Sequence, residues 1–191
     1  MSKSPLQKIH IIGGAGSGKT TLANWFVQQL NYPCFYLDQI GWSTSGKVPL
    51  AKRMEDIQQI LLQPAWITEG VFLWWTDPLL EHADLIVWLD LPFPLTAWRI
   101  VKRHAVASWK GDNPHAGVRH LMRFVHGVGK NHYRKEPLIP SGPDDDFAIT
   151  RIATKQCLDP FIQKVIHCQK PKAVRQVQNQ FQANEFDIAT F

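Results

Sequence analysis

The run Gly13-Gly14-Ala15-Gly16-Ser17-Gly18-Lys19-Thr20 constrains this chain more than any other part of it, because it satisfies the pattern G-x-x-x-x-G-K-[ST] without a mismatch. Its glycines let the backbone turn successive N–H groups toward an anion, and a helix beginning there would aim its positive end at the same point. The flanks agree. Lys8 to Gly13 is a short apolar run ending in glycine, and Ser17 to Leu30 carries Leu22, Ala23, Phe26, Val27 and Leu30 at helical spacing. Strand, tight loop and helix in that order make a phosphate cradle rather than an ordinary glycine-rich turn. The expected nucleotide contacts are Gly13, Gly14, Ala15, Gly16, Ser17, Gly18, Lys19, Thr20 and Thr21. Lys19 would reach the β- and γ-phosphates of ATP, and the Thr20 hydroxyl would ligate Mg²⁺.

The same alternation continues downstream. Cys34 to Leu37, Trp66 to Thr68, Leu85 to Leu89 and Lys164 to Cys168 read as buried strands. Leu50 to Leu62, Leu95 to Trp109 and Pro171 to Phe181 read as helices. Short, nearly continuous apolar strands separated by helices predict an α/β fold with a five-stranded parallel sheet flanked by helices. Ligands of such sheets gather at the carboxyl edge, where Asp38, Glu69 and Asp90 each follow a strand. Asp38 is the candidate general base or acceptor anchor, with a turn or helix cap as the plain alternative. Glu69 is the candidate that holds Mg²⁺ through water or touches the acceptor, and Asp90 reads as a cap for the next helix. Lys110 to Pro160 is the least regular region and predicts a mobile flap; Ala183 to Phe191 reads as a loosely held tail.

Charge is concentrated rather than spread. Residues 99 to 135 hold nine Lys and Arg against Asp112 alone, a surplus of eight in a chain whose net charge is +5. Arg99 and Arg103 lie one helical turn apart. Arg119, Arg123, His126, Lys130 and Arg134 step by three and four, a single helical stripe interrupted by Gly127 and Gly129. In a phosphotransferase, arginines such as Arg99, Arg103, Arg123 and Arg134 would offset charge on the transferring phosphoryl group. A solvated basic face, or contact with a nucleic-acid backbone, are the other readings. His104, His115, His120, His126 and His132 share this region and read as solvated or phosphate-facing imidazoles rather than a metal cluster. Trp42, Phe72, Trp74 and Trp75 would wall a pocket for a flat acceptor, or pack in the core.

The three cysteines, Cys34, Cys157 and Cys168, lack metal-ligand spacing and leave a disulfide framework unsupported. Neither a signal peptide nor a membrane-spanning run is expected, which makes the cytoplasm the natural compartment.

With these pieces in order, the chain resembles the adenylate-kinase-like branch of P-loop kinases, and within it the bacterial DNA topology modulation proteins. The resemblance rests on Ile11 to Ala23, Leu37-Asp38-Gln39-Ile40-Gly41-Trp42, Trp66-Ile67-Thr68-Glu69-Gly70, Ala83 to Pro92, Arg99 to Arg103 and Lys164-Val165-Ile166-His167. It implies one kinase-like domain over residues 1–191, with an acceptor-side segment at about 38–65 and a basic lid at about 110–140. It further implies Mg²⁺-ATP as donor, a small-molecule acceptor such as a nucleoside or nucleotide met by Asp38, Trp42, Glu69 and Gly70, and adenine packed near Gln169 to Lys172. Glu69-Gly70-Val71-Phe72-Leu73 stands where adenylate kinases carry Asp-Gly-Phe-Pro-Arg, so the likeness does not extend to AMP as acceptor. An ATP-binding regulatory or nucleic-acid-associated protein is the alternative.

Overall fold

The computed structural model describes residues 6–71, 75–111, 117–135, 150–183 and 186–190. In chain order the elements are β1 (Lys8–Gly13), α1 (Lys19–Leu30), β2 (Cys34–Tyr36), α2 (Leu37–Gly41), β3 (Trp42–Ser43), β4 (Gly46–Lys47), α3 (Leu50–Leu61), β5 (Trp66–Gly70), α4 (Asp77–His82), β6 (Leu85–Leu89), α5 (Phe93–Trp109), α6 (Val118–Tyr133), α7 (Arg151–Leu158), β7 (Val165–Cys168) and α8 (Pro171–Gln182). Short 3-10 turns occupy Asp159–Lys164 and Ile188–Thr190. Five strands pair in the order β2-β5-β1-β6-β7, all parallel, and β3 and β4 form a separate antiparallel hairpin.

Alternation along the strands builds two apolar layers. Ile9 and Ile11 of β1, Leu85, Val87 and Leu89 of β6, and Ile166 and Cys168 of β7 meet Leu22, Ala23 and Phe26 of α1 and Val177 of α8. On the opposite face Ile12, Ile86, Trp88 and Val165 meet Ile57 and Ile60 of α3, Leu79 and Leu80 of α4, and Leu158 of α7. His10 of β1 is fully buried opposite Thr68 of β5 and shares a 2.7 Å hydrogen bond with its hydroxyl. Burial pushes the His10 imidazole down to about 3, against the smaller opposing effect of Thr68.

The five expected strands are all present, with shifted ends: Glu69 and Gly70 are the last residues of β5 rather than a loop beyond it, and Leu37 opens α2. The chain leaves β1 for one side of the sheet and later returns to fill the other, so the strand order switches at the carboxyl end of β1, where the phosphate cradle lies.

Two expectations are corrected, and one pair of alternatives is decided for Trp75. Within the expected flap, Val118–Tyr133 is a 16-residue helix that runs through both Gly127 and Gly129, and Arg151–Leu158 is another. α6 tolerates Gly129 because a side chain there would meet Phe93 of α5: a Cβ would stand 2.8 Å from its ring. The rest of the expected lid, residues 112–116 and 136–149, lies outside the described residues. In the expected tail, Phe186 and Ile188 pack against the α1/α8 layer and Gln180 donates to Thr190 at 2.8 Å. Trp75 is 2% exposed beneath the Arg53 guanidinium, which lies 5.4 Å from the ring centre, so Trp75 is core. Phe72 and Trp74 lie outside the described residues.

Candidate nucleotide and acceptor site

The phosphate cradle takes its shape from two left-handed glycines, Gly16 at φ 75° and Gly18 at φ 98°. At Gly16 space forbids a side chain as well, since a Cβ would lie 2.6 Å from the Thr96 carbonyl oxygen of α5. Ser17 N–H donates to Gly14 O at 3.2 Å, closing the turn, and Lys19 begins α1 with its N-terminus on the loop.

Lys19 is 9% exposed, and its ammonium stands 3.4 Å from Gly14 O and 3.9 Å from Glu69 Oε2. Burial lowers its pKa, opposed by the charges of Glu69 and Asp38 and reinforced by Arg103. The Thr20 hydroxyl donates to Glu69 Oε1 at 2.9 Å. Glu69 is 5% exposed, and neither its second carboxylate oxygen nor the buried Ser17 hydroxyl oxygen has a hydrogen-bond partner among the described residues. A threonine hydroxyl and an under-satisfied carboxylate at the mouth of a phosphate loop are hard oxygen donors of the type Mg²⁺ prefers, so the residues present fit that ion.

A cavity of about 920 Å³ opens from the loop. Residues 13–21 form one end; Asp38 from the first turn of α2, Arg99 and Arg103 from α5, and His120, Arg123 and Phe124 from α6 extend it. Asp38, Arg103 and Arg123 are exposed to this space. Other sequence-predicted residues fall elsewhere. Arg134 follows α6 and faces a second groove with Phe93, His126 and Lys130. Trp42 is 45% exposed on the hairpin and does not line the cavity, nor do residues 169–172. Gly70 does not line it either: a Cβ there would stand 2.7 Å from that of Leu37, so its role is to let α2 lie on β5. The basic stripe therefore divides, with Arg123 reaching the cavity while His126 and Lys130 turn to the other groove. Arg99 also departs from expectation, since its guanidinium donates to the backbone of the loop itself, to Ser17 O at 2.9 Å and Gly16 O at 3.5 Å.

Sequence reasoning missed one wall. Asp90 caps no helix: α5 starts after Pro92 with no side-chain cap, and the Asp90 carboxylate instead accepts from Arg151 Nε at 2.6 Å and bonds His167 Nε2 at 2.7 Å. Burial opposes its ionisation, yet the bonds from His167 and Arg151 outweigh that and hold its pKa below the usual carboxylate range. His167 lies flat on Trp88, ring centres 3.9 Å apart, as their adjacent register on β6 and β7 dictates. His132 of α6 lines the same wall; burial lowers its pKa, Asp90 opposes this, and Arg151 adds to it. The one polar residue in the apolar run of β7 was the available signal for His167. Nothing local marked Arg151, which reaches Asp90 across 61 residues of sequence.

No family model matches the chain. An uncharacterized protein of Bacillus subtilis (strain 168), YqaC, is 25% identical over 115 residues, a match covering 58% of this chain and 63% of that protein, less than two thirds of its length. Among solved structures, the chain is similar to shikimate kinase from Bacteroides thetaiotaomicron (TM-score 0.51, 14% identity, 95% of this chain and 100% of that one). It is also similar to shikimate kinase from Acinetobacter baumannii in complex with shikimate (0.50, 14%, 95% and 96%). A gluconokinase from Sinorhizobium meliloti 1021 is comparable (0.50, 13%, 98% and 94%). At such identities the likeness is one of fold: the chain has the α/β architecture of P-loop kinases.

Proposed function

We propose that the protein is a P-loop phosphotransferase that moves the γ-phosphoryl group of Mg²⁺-ATP to a small acceptor, a nucleoside or nucleotide being the class in view. The observation that carries this reading is the continuity of the cradle with a large open cavity, in which Lys19, Thr20, Asp38, Arg103 and Arg123 border one space, with the buried Glu69 bonded to Thr20 and 3.9 Å from the Lys19 ammonium. A mere nucleotide switch has no need of that second half. The kinase fold of the structural neighbours supports the same reading as an analogy.

In the proposed reaction, loop N–H groups and Lys19 bind the phosphates, and Thr20 with Glu69 would hold Mg²⁺. The ion would supply neutralisation of phosphate charge. Asp38 takes the proton of an acceptor hydroxyl as its oxygen bonds to the γ-phosphorus and the bond to the β–γ bridging oxygen breaks, leaving ADP. Arg103 and Arg123 offset the charge spread over the group in flight. In this reading residues about 38–65 form the acceptor side and α6 the described part of the lid, within one kinase-like domain. The test is ADP release from ATP across a panel of nucleosides, nucleotides, sugars and hydroxy acids, with Lys19→Ala as control. An acceptor that raises release many-fold in the wild type only is the expected result; a slow rate unmoved by every acceptor sinks the kinase reading.

A second reading is favoured by one observation: Arg119, His126 and Lys130 are exposed on α6 and do not border the cavity. They would suit a nucleic-acid backbone, as in an ATP-binding, nucleic-acid-associated protein of the DNA topology modulation type. Salt-dependent binding of duplex or single-stranded DNA, weakened by Lys130→Glu, is its expected signature, and no binding at low ionic strength removes it.

A further inference from the structure

We infer that Arg99 is a positioning residue for the nucleotide: it fixes the phosphate loop by its backbone and does not contact the transferring phosphoryl group. The inference rests on the loop being the nucleotide site, not on phosphoryl transfer taking place.

A peptide plane carries its C=O and N–H in opposite directions. Arg99 Nη1 donates to Ser17 O at 2.9 Å, so the Gly18 N–H at the other end of that plane points away from Arg99. The Ser17 N–H is already committed to Gly14 O, which leaves the Ser17–Gly18 plane as the one whose direction Arg99 decides. Gly18 has the freedom that makes such a restraint necessary. It sits at φ 98°, and among the described residues a Cβ there would meet only the Arg99 nitrogen, at 3.3 Å. The same turn of α5 presses on Gly16 through Thr96 and Ile100, so loop and helix are fitted to each other at both Gly16 and Gly18. The cation also lies against the negative ends of loop dipoles, the ends that would repel a phosphate if they swung inward. Arg103, one turn further on, borders the same cavity, with its side chain exposed to that space, and acts on Lys19 through its charge.

A residue that orients the loop affects every phosphate ligand alike, whereas a residue on the transferring group affects the transition state. Titration of MgADP and of an Mg²⁺-bound non-hydrolysable ATP analogue into wild-type protein, Arg99→Ala, Arg99→Lys and Arg103→Ala separates the two. Arg99→Ala is expected to weaken both ligands equally, by roughly ten- to a hundredfold, the size of a lost charge-assisted hydrogen bond. Arg99→Lys, which keeps a cationic donor, recovers part of that loss. With an acceptor in hand, Arg99→Ala raises the KM for ATP while kcat at saturating nucleotide stays within a few-fold of wild type. Unchanged MgADP affinity in folded Arg99→Ala, or loss confined to kcat, overturns the inference. Melting temperature reports folding, and if the alanine variant does not fold, Arg99→Gln is judged by the same criterion. A wild type that binds MgADP but transfers nothing defeats the kinase reading and leaves this one standing; a wild type that does not bind MgADP defeats both.

Discussion

At the loop end of the cavity, polar groups are tied to backbone or to one another: Thr20 to Glu69, Arg99 to Ser17 O, and Lys19 close to Gly14 O. At the α6 end, His120, Arg123 and Phe124 project from a helix whose one buried residue is Gly129. The first end is specified by backbone conformation, and the ligand proposed for it, a chain of phosphates, is correspondingly generic. The second is specified by exposed side chains on a helix set against α5, an arrangement in which substitution changes chemistry without disturbing the fold. Under the proposed function, donor recognition would belong to the fold and acceptor recognition to this chain.

The largest contrast is expected in turnover. Lys19→Ala should lower acceptor-dependent transfer by roughly 10²–10³-fold, the usual cost of removing a preorganised electrostatic group, and Arg123→Ala by about tenfold or less. Comparable losses in steady-state assays would erase the distinction between a locked end and an adaptable one.

Acid tests what lies beneath each end. His10, in the strand that carries the loop, is held neutral down to about pH 3, whereas an unfolded histidine charges near 6.5. The unfolded state then binds more protons between those values, so stability falls as pH falls from 6.5 toward 3, by on the order of 5 kcal/mol in total. His132 at the α6 end has the same sign, beginning below 6.5. Denaturant melts across this range should show the slope, and the pair His10→Leu with Thr68→Val should flatten most of it. A slope that survives the pair places the acid-sensitive group elsewhere.

Matched glycine substitutions give the smallest effects and opposite signs. Gly16→Ala is expected to destabilise by roughly 1–2 kcal/mol from its left-handed backbone alone, with more from the Thr96 carbonyl. Gly127→Ala, whose Cβ meets nothing within 4 Å, should stabilise α6 by about 0.5–1 kcal/mol. Loss of stability in both would mean that α6 is as tightly fitted as the loop.

The same contrast explains what the sequence disclosed. Gly13 to Thr20 was legible because a phosphate loop needs glycine at fixed spacing, and the five strands because burial on both faces demands unbroken apolar runs. The α2–hairpin segment from Leu37 to Lys47 was not, since two-residue strands such as Trp42–Ser43 carry no period. α6 was obscured by Gly127 and Gly129, whose low propensity is overridden at Gly129 by close packing on Phe93. Arg99 was visible as a cation on the right helix; that it would bind carbonyl oxygens rather than face phosphate depends on how α5 meets the loop. Asp90, Arg151 and His167 converge only through tertiary folding, and no local pattern links them.

Transfer of label from γ-³²P-ATP to an acceptor, followed by separation of labelled products, tests the central claim most directly. An acceptor-dependent labelled product is expected in the wild type and absent in Lys19→Ala. Tight MgATP binding with label released only as inorganic phosphate, whatever acceptor is supplied, would contradict it.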